Sequence, residues 1–247
     1  MALPARLLAL ATLTLATVAS AAPSAEEIVK KARAALAKDT SFLDRVTTVH
    51  YEGKVLETDG KTSQGFILET ATGGKRRELR YDGEFTTEVS IVTNGMEAWA
   101  RRADLTSGRS EAARVLPHEV AQRLGDMARS DLSFYAAPAP DRGSIKLKAT
   151  EAVEGRRAYS IEYTYRSGYT CVRHFDAETY ALIATDYPQA EGKVERQVEE
   201  ETQLAEGIRV PKKVRILQDG KARGTLVFEK VIVNGEISES AFTFPVR

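Results

Sequence analysis

The sequence is poor in the residues that bind metals or carry redox chemistry. It has one cysteine, Cys171, and three histidines in 247 residues. A single cysteine excludes an intramolecular disulfide, and its place in the alternating run "YTCVRHF" predicts a small, buried strand residue. No two histidines have the spacing of metal ligands, and there is no HExxH motif. We therefore expect neither a metal site nor a bound cofactor.

Motifs of catalysis are also missing. There is no G-x-S-x-G elbow and no glycine-rich phosphate loop between a strand and a helix. Cys171 and His174 are three residues apart in a predicted strand, so they lie on opposite faces and cannot form a dyad. The carboxylates between Asp176 and Glu201 stand in turns or beside Lys and Arg, whereas a general acid needs a desolvated carboxyl group. We expect no catalytic residue, and we place His50 and His174 at the surface or at strand edges.

An excess of charge of either sign is lacking. Lys plus Arg and Asp plus Glu are both 35. Nucleic-acid binding needs a clustered basic surplus, so this composition argues against it. The densest basic run is "KRRELR", residues 75–80. It is interpreted either as the solvent side of a strand or as a surface facing an anionic head group.

The N-terminus has the features of a secretory signal. Arg6 precedes an uncharged apolar run from Leu7 to Val18, and small residues lead up to a cleavage site after Ala21. The run is too short for a comfortable membrane span, although a retained anchor is the alternative. We predict a signal peptide over residues 1–21 and a periplasmic mature chain with a net charge of 34 − 35 = −1.

Two segments have helical patterns. Ser24 and Glu27 form a capping box before an apolar stripe, which predicts an N-terminal helix. The second segment, "VLPHEVAQRLGDMARSDLSFY", carries Pro117 at a first-turn position. Four apolar residues at spacings of four, four and three form its predicted apolar face: Leu116, Val120, Leu124 and Met127.

Nearly everything else alternates like β-strands. Turn dipeptides such as Asp59-Gly60 and Asn94-Gly95 recur every ten to twelve residues, which is typical of an antiparallel meander. We predict one domain over residues 22–247, mainly β with α. Its fold would be an incomplete, half-open antiparallel barrel of about 10–12 strands, because so long a meander curls. The polar segment "KVERQVEEETQL" is predicted to be an edge strand or solvated on one face.

The curled sheet needs a cover for its concave face. A helix across an apolar concavity is a lid over a site for an apolar ligand. The second helix would supply this lid through its apolar face. Within "RAYSIEYTYR", one strand face carries Tyr159, Ile161 and Tyr163, which are further candidates for ligand binding.

The order of these elements resembles the outer-membrane lipoprotein-sorting (LolA-like) family. "CVRHFDAETYALIATDYPQAEGKVERQ" is similar to that family's strand, acidic turn and strand. "EGIRVPKKVRI" and "VFEKVIVNGEISESAFTFP" resemble its later segments, and "LPHEVAQRLGDMARSDLSFY" is similar to its lid-like helix. The resemblance covers essentially the whole mature chain, through loose motifs.

The resemblance implies a carrier of acylated cargo that performs no chemistry. In this family an arginine early in the sheet holds the lid, and "KRRELRY" offers Arg76, Arg77 or Arg80 as lid contacts. The expected partners are a lipoprotein or lipid ligand and inner- or outer-membrane proteins, with a monomeric carrier. The alternative is a sensor or regulatory module on the same fold that binds a membrane-anchored protein.

Overall fold

The computed structural model describes residues 23–245, so the predicted signal peptide lies outside the described residues. Three α-helices are present in this part of the chain: α1 (Ala25–Leu36), α2 (Thr40–Leu43) and α3 (His118–Leu132). The capping box predicted for α1 is formed, with the Ser24 hydroxyl accepting from the Glu27 N–H and the Glu27 carboxylate accepting from the Ser24 N–H. Within residues 23–245, no helix has the length and apolar character needed to cross a membrane.

The strands follow one another along the chain with short connections, except between residues 115 and 143, where α3 lies. They are β1 (Thr48–Leu56), β2 (Thr62–Ala71), β3 (Lys75–Asp82), β4 (Thr87–Thr93), β5 (Ala98–Asp104), β6 (Arg109–Ser110), β7 (Arg114–Val115), β8 (Gly143–Val153), β9 (Arg156–Tyr165), β10 (Thr170–Asp176), β11 (Leu182–Pro188), β12 (Val194–Ala205), β13 (Ile208–Gln218) and β14 (Lys221–Val233).

All of these strands form one antiparallel sheet. The order is β6-β5-β4-β3-β2-β1-β14-β13-β12-β11-β10-β9-β8, with β7 paired to β5. The first and last strands of the two halves, β1 and β14, join in the middle, and the sheet does not close on itself. The prediction of an incomplete, half-open antiparallel barrel is confirmed in the form of an unclosed antiparallel sheet, with the expected N-terminal and mid-chain helices. The 14 strands exceed the expected number because β6 and β7 are two-residue segments.

The sheet is strongly curled. Arg76 on β3 and Arg173 on β10 contact neighbouring residues of α3, Asp131 and Ser130. Seven strand spacings separate β3 from β10, which is roughly 34 Å in a flat sheet. The face that carries both arginines must therefore be concave, and we call it the inner face.

The helices cover two parts of the inner face. α1 packs Ile28, Val29 and Ala32 against a cluster that includes Ile161 and Tyr163 on β9. α3 packs chiefly against residues 72–74 and strands β2–β5. Of the two alternatives for "KVERQVEEETQL", the edge position is wrong, because this segment forms β12, which pairs with both β11 and β13. Much of the strand is nevertheless exposed, at residues 200–202 and 204.

The opposite, outer face also has a buried cluster. Ala158, Ala184, Val198 and Leu217 lie in it. The β8–β9 hairpin folds back over this face, since Glu154 at its turn accepts a hydrogen bond from Arg215 of β13 at 2.8 Å. The prediction that Asp, Asn and Gly pairs form the hairpin turns is confirmed at the β13–β14 turn, where Asp219 and Gly220 have φ of 50° and 77°.

Candidate functional site

The mid-chain helix α3 rests on the sheet through small residues. Its most buried side is formed by Ala121, Gly125 and Ala128. At Gly125, a Cβ atom would lie 3.7 Å from the carbonyl oxygens of both Gly74 and Gly95, so the helix backbone approaches these two turns closely. The small residues thus allow α3 to lie almost directly on the ends of the strands.

The apolar face predicted for this helix lies beside that contact. Leu116, Val120, Leu124 and Met127 are all half-buried. Met127 packs against the cluster that contains Ile161 and Tyr163. Leu116 precedes the first residue of α3 and donates its N–H to the carbonyl of Ala98 at 2.8 Å.

Arg76 holds the C-terminal end of α3. Its side chain is buried, and it forms an ion pair with Asp131 of the helix and with Glu78 of its own strand, the latter at 3.3 Å. Of the three candidate lid contacts, Arg76 is the one that the structure places against α3. The Arg77 Nε donates to Glu69 at 2.6 Å, and Arg80 pairs with Glu78.

Arg173 is a second buried contact to α3, which the sequence reasoning missed. Its Nη2 donates to the Ser130 Oγ at 2.9 Å. Its guanidinium lies 4.4 Å from the ring centroid of Tyr163 and 5.1 Å from that of Tyr135. An Arg between two apolar residues of an alternating strand, as in "CVRHF", was a signal that this side chain points into the core.

Burial and opposite charges act against each other at this contact. Burial raises the pKa of Asp131, and the charges of Arg76 and Arg173 partly offset that effect. Burial would also raise the pKa of Glu78, but Arg76 and Arg80 hold it below its usual value. The contact between α3 and β3 is thus a partly desolvated ion cluster. Within it, the negative charge of Asp131 is less favoured than that of Glu78.

The middle of the inner face is apolar. The rings of Tyr51 and Phe228 are 5.4 Å apart, and those of Phe66 and Phe228 are 5.5 Å apart, both edge to face. Leu68 pairs with Tyr51, and Leu226 pairs with Val214 on the same face. All members of this surface are half-buried, and we call it the inner floor: Tyr51, Phe66, Leu68, Leu226 and Phe228.

Two of the three candidate ligand-binding residues on β9 are covered by other parts of the protein. Ile161 and Tyr163 are fully buried beneath α1, and the Tyr163 hydroxyl donates to the Tyr135 carbonyl at 2.7 Å. Tyr159 is half-buried and stacks on Tyr180 at 6.0 Å. A cleft of about 280 Å³ opens next to this cluster, between Val29 of α1 and the segment after α3.

The outer face carries a polar network that contradicts one expectation. His174 is 2% exposed, so its predicted surface or edge position is wrong. Its Nδ1 lies 2.8 Å from the Ser160 Oγ and its Nε2 lies 3.0 Å from Asp186. Its strand lies inside the sheet, between β9 and β11, and the folded-back β8–β9 hairpin covers it, a tertiary effect that alternation does not reveal.

These residues have the order of a Ser-His-Asp triad but not its accessibility. Ser160 is fully buried, and its hydroxyl donates to Glu151 at 2.6 Å. A nucleophile must reach a substrate carbonyl. The network therefore has the properties of a structural one, in which Asp186 also accepts two hydrogen bonds from Arg196, at 2.6 and 2.7 Å.

No family model matches the sequence, and no curated protein matches it. Solved structures do match the fold. One is a DUF1329 family protein from Desulfovibrio piger, 13% identical, with 87% of this chain and 95% of that chain covered and a TM-score of 0.55.

Two further structures are similar over most of the chain. A putative outer membrane lipoprotein-sorting protein domain from Vibrio parahaemolyticus is 12% identical, with 87% and 94% covered and a TM-score of 0.53. A LolA superfamily protein from Nitrosomonas europaea is 13% identical, with 90% and 98% covered and a TM-score of 0.55. At such identities the likeness concerns the fold alone. The chain therefore has the fold found in LolA-superfamily and DUF1329 proteins.

Proposed function

We propose that this protein is a periplasmic, non-catalytic carrier or binding protein for lipoproteins or other acylated, lipid-like ligands. The observation that carries the proposal is the half-buried inner floor, an apolar concave surface next to a helix held by a small ion cluster. Monomeric soluble proteins rarely leave a contiguous apolar surface open unless something binds there.

The inner floor suits acyl chains by its chemistry. Tyr51, Phe66 and Phe228 offer ring edges and faces, and Leu68 and Leu226 extend the apolar surface. Each methylene group removed from water contributes about 0.8 kcal/mol. Ten methylene groups would thus supply roughly 8 kcal/mol before the cost of ordering the chain.

Movement of α3 would enlarge the site. The predicted lid residues Leu124 and Met127 are half-buried beside the inner face, so a small displacement of the helix would turn them towards a ligand. Arg76 and Asp131 limit this displacement in the closed structure. A lid that is held by few polar contacts can both close over a ligand and release it.

The test is direct binding of a lipid probe. The purified mature chain should bind a fluorescent fatty acid and should carry lipid or lipoprotein when isolated from its native compartment, as detected by extraction and mass spectrometry. Absence of both would contradict the proposal.

A matched pair of variants locates the site. Leu226 and Val227 are neighbours on β14, both half-buried, and they face opposite sides of the sheet. Leu226→Glu should weaken probe binding at least tenfold, whereas Val227→Glu should have little effect if both fold. Equal effects would place binding elsewhere. Recovery of one membrane protein without lipid would favour the regulatory alternative.

A further inference from the structure

We propose that Arg76 and Arg173 form a site for the anionic head group of the ligand, and that Asp131 of α3 occupies this site in the closed structure. The inference rests on the proposed lipid-binding function and adds the chemical class of the ligand, an amphiphile with a carboxylate or phosphate group.

Both arginines are buried with unused hydrogen-bond donors. Arg76 is 8% exposed and Arg173 is 7% exposed. The Nε of Arg76 and the Nη1 of Arg173 have no hydrogen-bond partner within residues 23–245. A buried charged group normally has its donors satisfied, because desolvation without a partner is unfavourable.

Arg173 has no direct counter-ion among the described residues. Its contacts are the Ser130 hydroxyl and carbonyl and the rings of Tyr163 and Tyr135. In the part of the chain that the structure describes, no carboxylate oxygen lies within 4.0 Å of it. Aromatic faces stabilise the cation but leave the N–H groups at its edge unpaired. An external anion would fill this need.

One turn of α3 contacts the guanidinium groups of both arginines. Arg76 pairs with Asp131, and Arg173 binds the adjacent Ser130. Displacement of this single helical turn would free both guanidinium groups at once. Asp131 meets Arg76 through a single contact, from Nη1 to Oδ2, and leaves the Arg76 Nε unpaired. A carboxylate or phosphate ligand can instead accept two parallel hydrogen bonds from one guanidinium group. A ligand head group can therefore replace Asp131, and its binding favours the displaced helix.

Position also supports the assignment. Arg76 and Glu78 lie on the same inner-face row of β3, and Glu78 pairs with Leu68 of the inner floor. An acyl chain on the inner floor would thus have its polar end next to Arg76. About a third of the Asp131 side chain is exposed, at 34%, so the site can be reached from solvent when this residue moves.

The test compares ligands with one chain and different head groups. Dodecanoate and dodecyl phosphate are titrated calorimetrically below their micelle concentrations, and dodecanol is titrated below its solubility limit. One charge-assisted hydrogen bond corresponds to about tenfold or more in affinity. We expect both anions to bind at least tenfold more tightly than dodecanol, and Arg173→Gln to reduce this preference to within about threefold. The exposed control Arg223→Gln should keep it.

A second variant covers the case in which Arg173→Gln does not fold. Asp131→Asn leaves both arginines in place and removes the internal anion that pairs with Arg76. The ratio of anion to alcohol affinity should then increase, which a merely loosened lid would not produce.

The outcomes separate this inference from the proposed function. Equal binding of all three ligands by the unmodified protein would overturn the head-group site and leave the carrier proposal standing. Failure of all three to bind would contradict the carrier proposal itself. Preference for dodecanoate or for dodecyl phosphate alone would support the site and identify whether a carboxylate or a phosphate is its ligand.

Discussion

Asp186 is the carboxylate at the centre of the outer-face network, where it contacts both Arg196 and His174. Burial opposes ionisation, but the hydrogen bonds from Arg196 and the contact with His174 lower its pKa from 3.8 to about 2. The folded form thus holds its negative charge to lower pH than the unfolded chain does. Asp186 stabilises the fold fully above pH 3.8, and this contribution is lost as the pH falls towards 2.

The first prediction follows from that difference. Asp186→Asn should lower the free energy of unfolding by about 2 kcal/mol at pH 7, since each pKa unit corresponds to about 1.4 kcal/mol. The deficit should shrink as the pH falls from 4 to 2. Urea unfolding across this range provides the measurement, with the exposed Asp141→Asn as control. A deficit that stays constant down to pH 2 would show that packing, not charge, is responsible.

The pKa of Glu199 is shifted in the opposite direction from that of Asp186. It lies on the inner face of β12, and burial raises its pKa from 4.5 to about 7, with a partial offset from Arg209. The folded protein retains a proton that the unfolded chain loses, so the ionised form is unfavourable above pH 7. Stability from this group therefore decreases as the pH rises from 4.5 to 7 and is lowest above it.

The second prediction is that Glu199→Gln stabilises the protein at pH 8. The free energy of unfolding at pH 8 should increase by about 1–2 kcal/mol, a value that includes a discount for the partial exposure of Glu199. At pH 5 the increase should be small. Thermal or urea unfolding at the two pH values measures it. Glu201→Gln, an exposed neighbour, is the control. An equal gain at both pH values would rule out titration of Glu199 as the cause.

At the residue scale, strand alternation predicted some positions well. Buried Cys171 and the shared face of Ile161 and Tyr163 follow directly from it. It could not predict that His174 is buried, because the cover depends on how the β8–β9 hairpin folds back over the outer face towards β13. Nor could it select Arg76 among three nearby arginines, since the choice depends on where Asp131 of α3 lies.

At the element scale, α3 depends on two glycine turns. Gly95 has a φ of 93°, and a Cβ atom there would lie 2.3 Å from the Gly73 carbonyl oxygen. The β4–β5 turn is therefore packed against the β2–β3 turn, and both lie next to Gly125 of the helix. These contacts form the seat of α3 on the sheet.

The third prediction tests this seat. A left-handed backbone conformation costs an L-residue about 1–2 kcal/mol. Gly95→Ala should destabilise the protein by more than this amount, because the new methyl group would overlap the backbone of Gly73. Gly60→Ala is the matched control, since Gly60 has a φ of 85° and open space around it. Urea midpoints of both variants are compared. Similar losses for the two would mean that the turn can shift away from Gly73.

The two helices were predictable to different degrees. The Ser24 and Glu27 capping box located the start of α1, because capping is a local interaction. Pro117 likewise located the start of α3. The side of α3 that meets the sheet is formed by Ala121, Gly125 and Ala128, which a search for large apolar residues passes over. Close backbone approach, not side-chain size, decides that contact.

At the scale of the whole molecule, α3 connects the two halves of the sheet. Arg76 belongs to the first meander and Arg173 to the second, and both contact one turn of the helix. Turn spacing predicted the pairing of consecutive long strands within each half of the sheet, but not the pairing of β1 with β14, which lie far apart in the sequence. It did not predict the degree of curl, which arises from these long-range contacts and from the fold-back of the β8–β9 hairpin.

The fourth prediction concerns this connection. Asp131→Asn removes the ion pair with Arg76, so α3 should open locally more often while the sheet remains paired. Amide hydrogen exchange in α3 should increase about tenfold, which corresponds to about 1.4 kcal/mol of lost local stability. Exchange in β9 and β10 should be unchanged. Arg123→Gln, an exposed change on the same helix, is the control for altered helix charge. Faster exchange in all strands would mean that Asp131 stabilises the whole fold and not the lid alone, because local opening leaves the hydrogen bonds of the central strands intact.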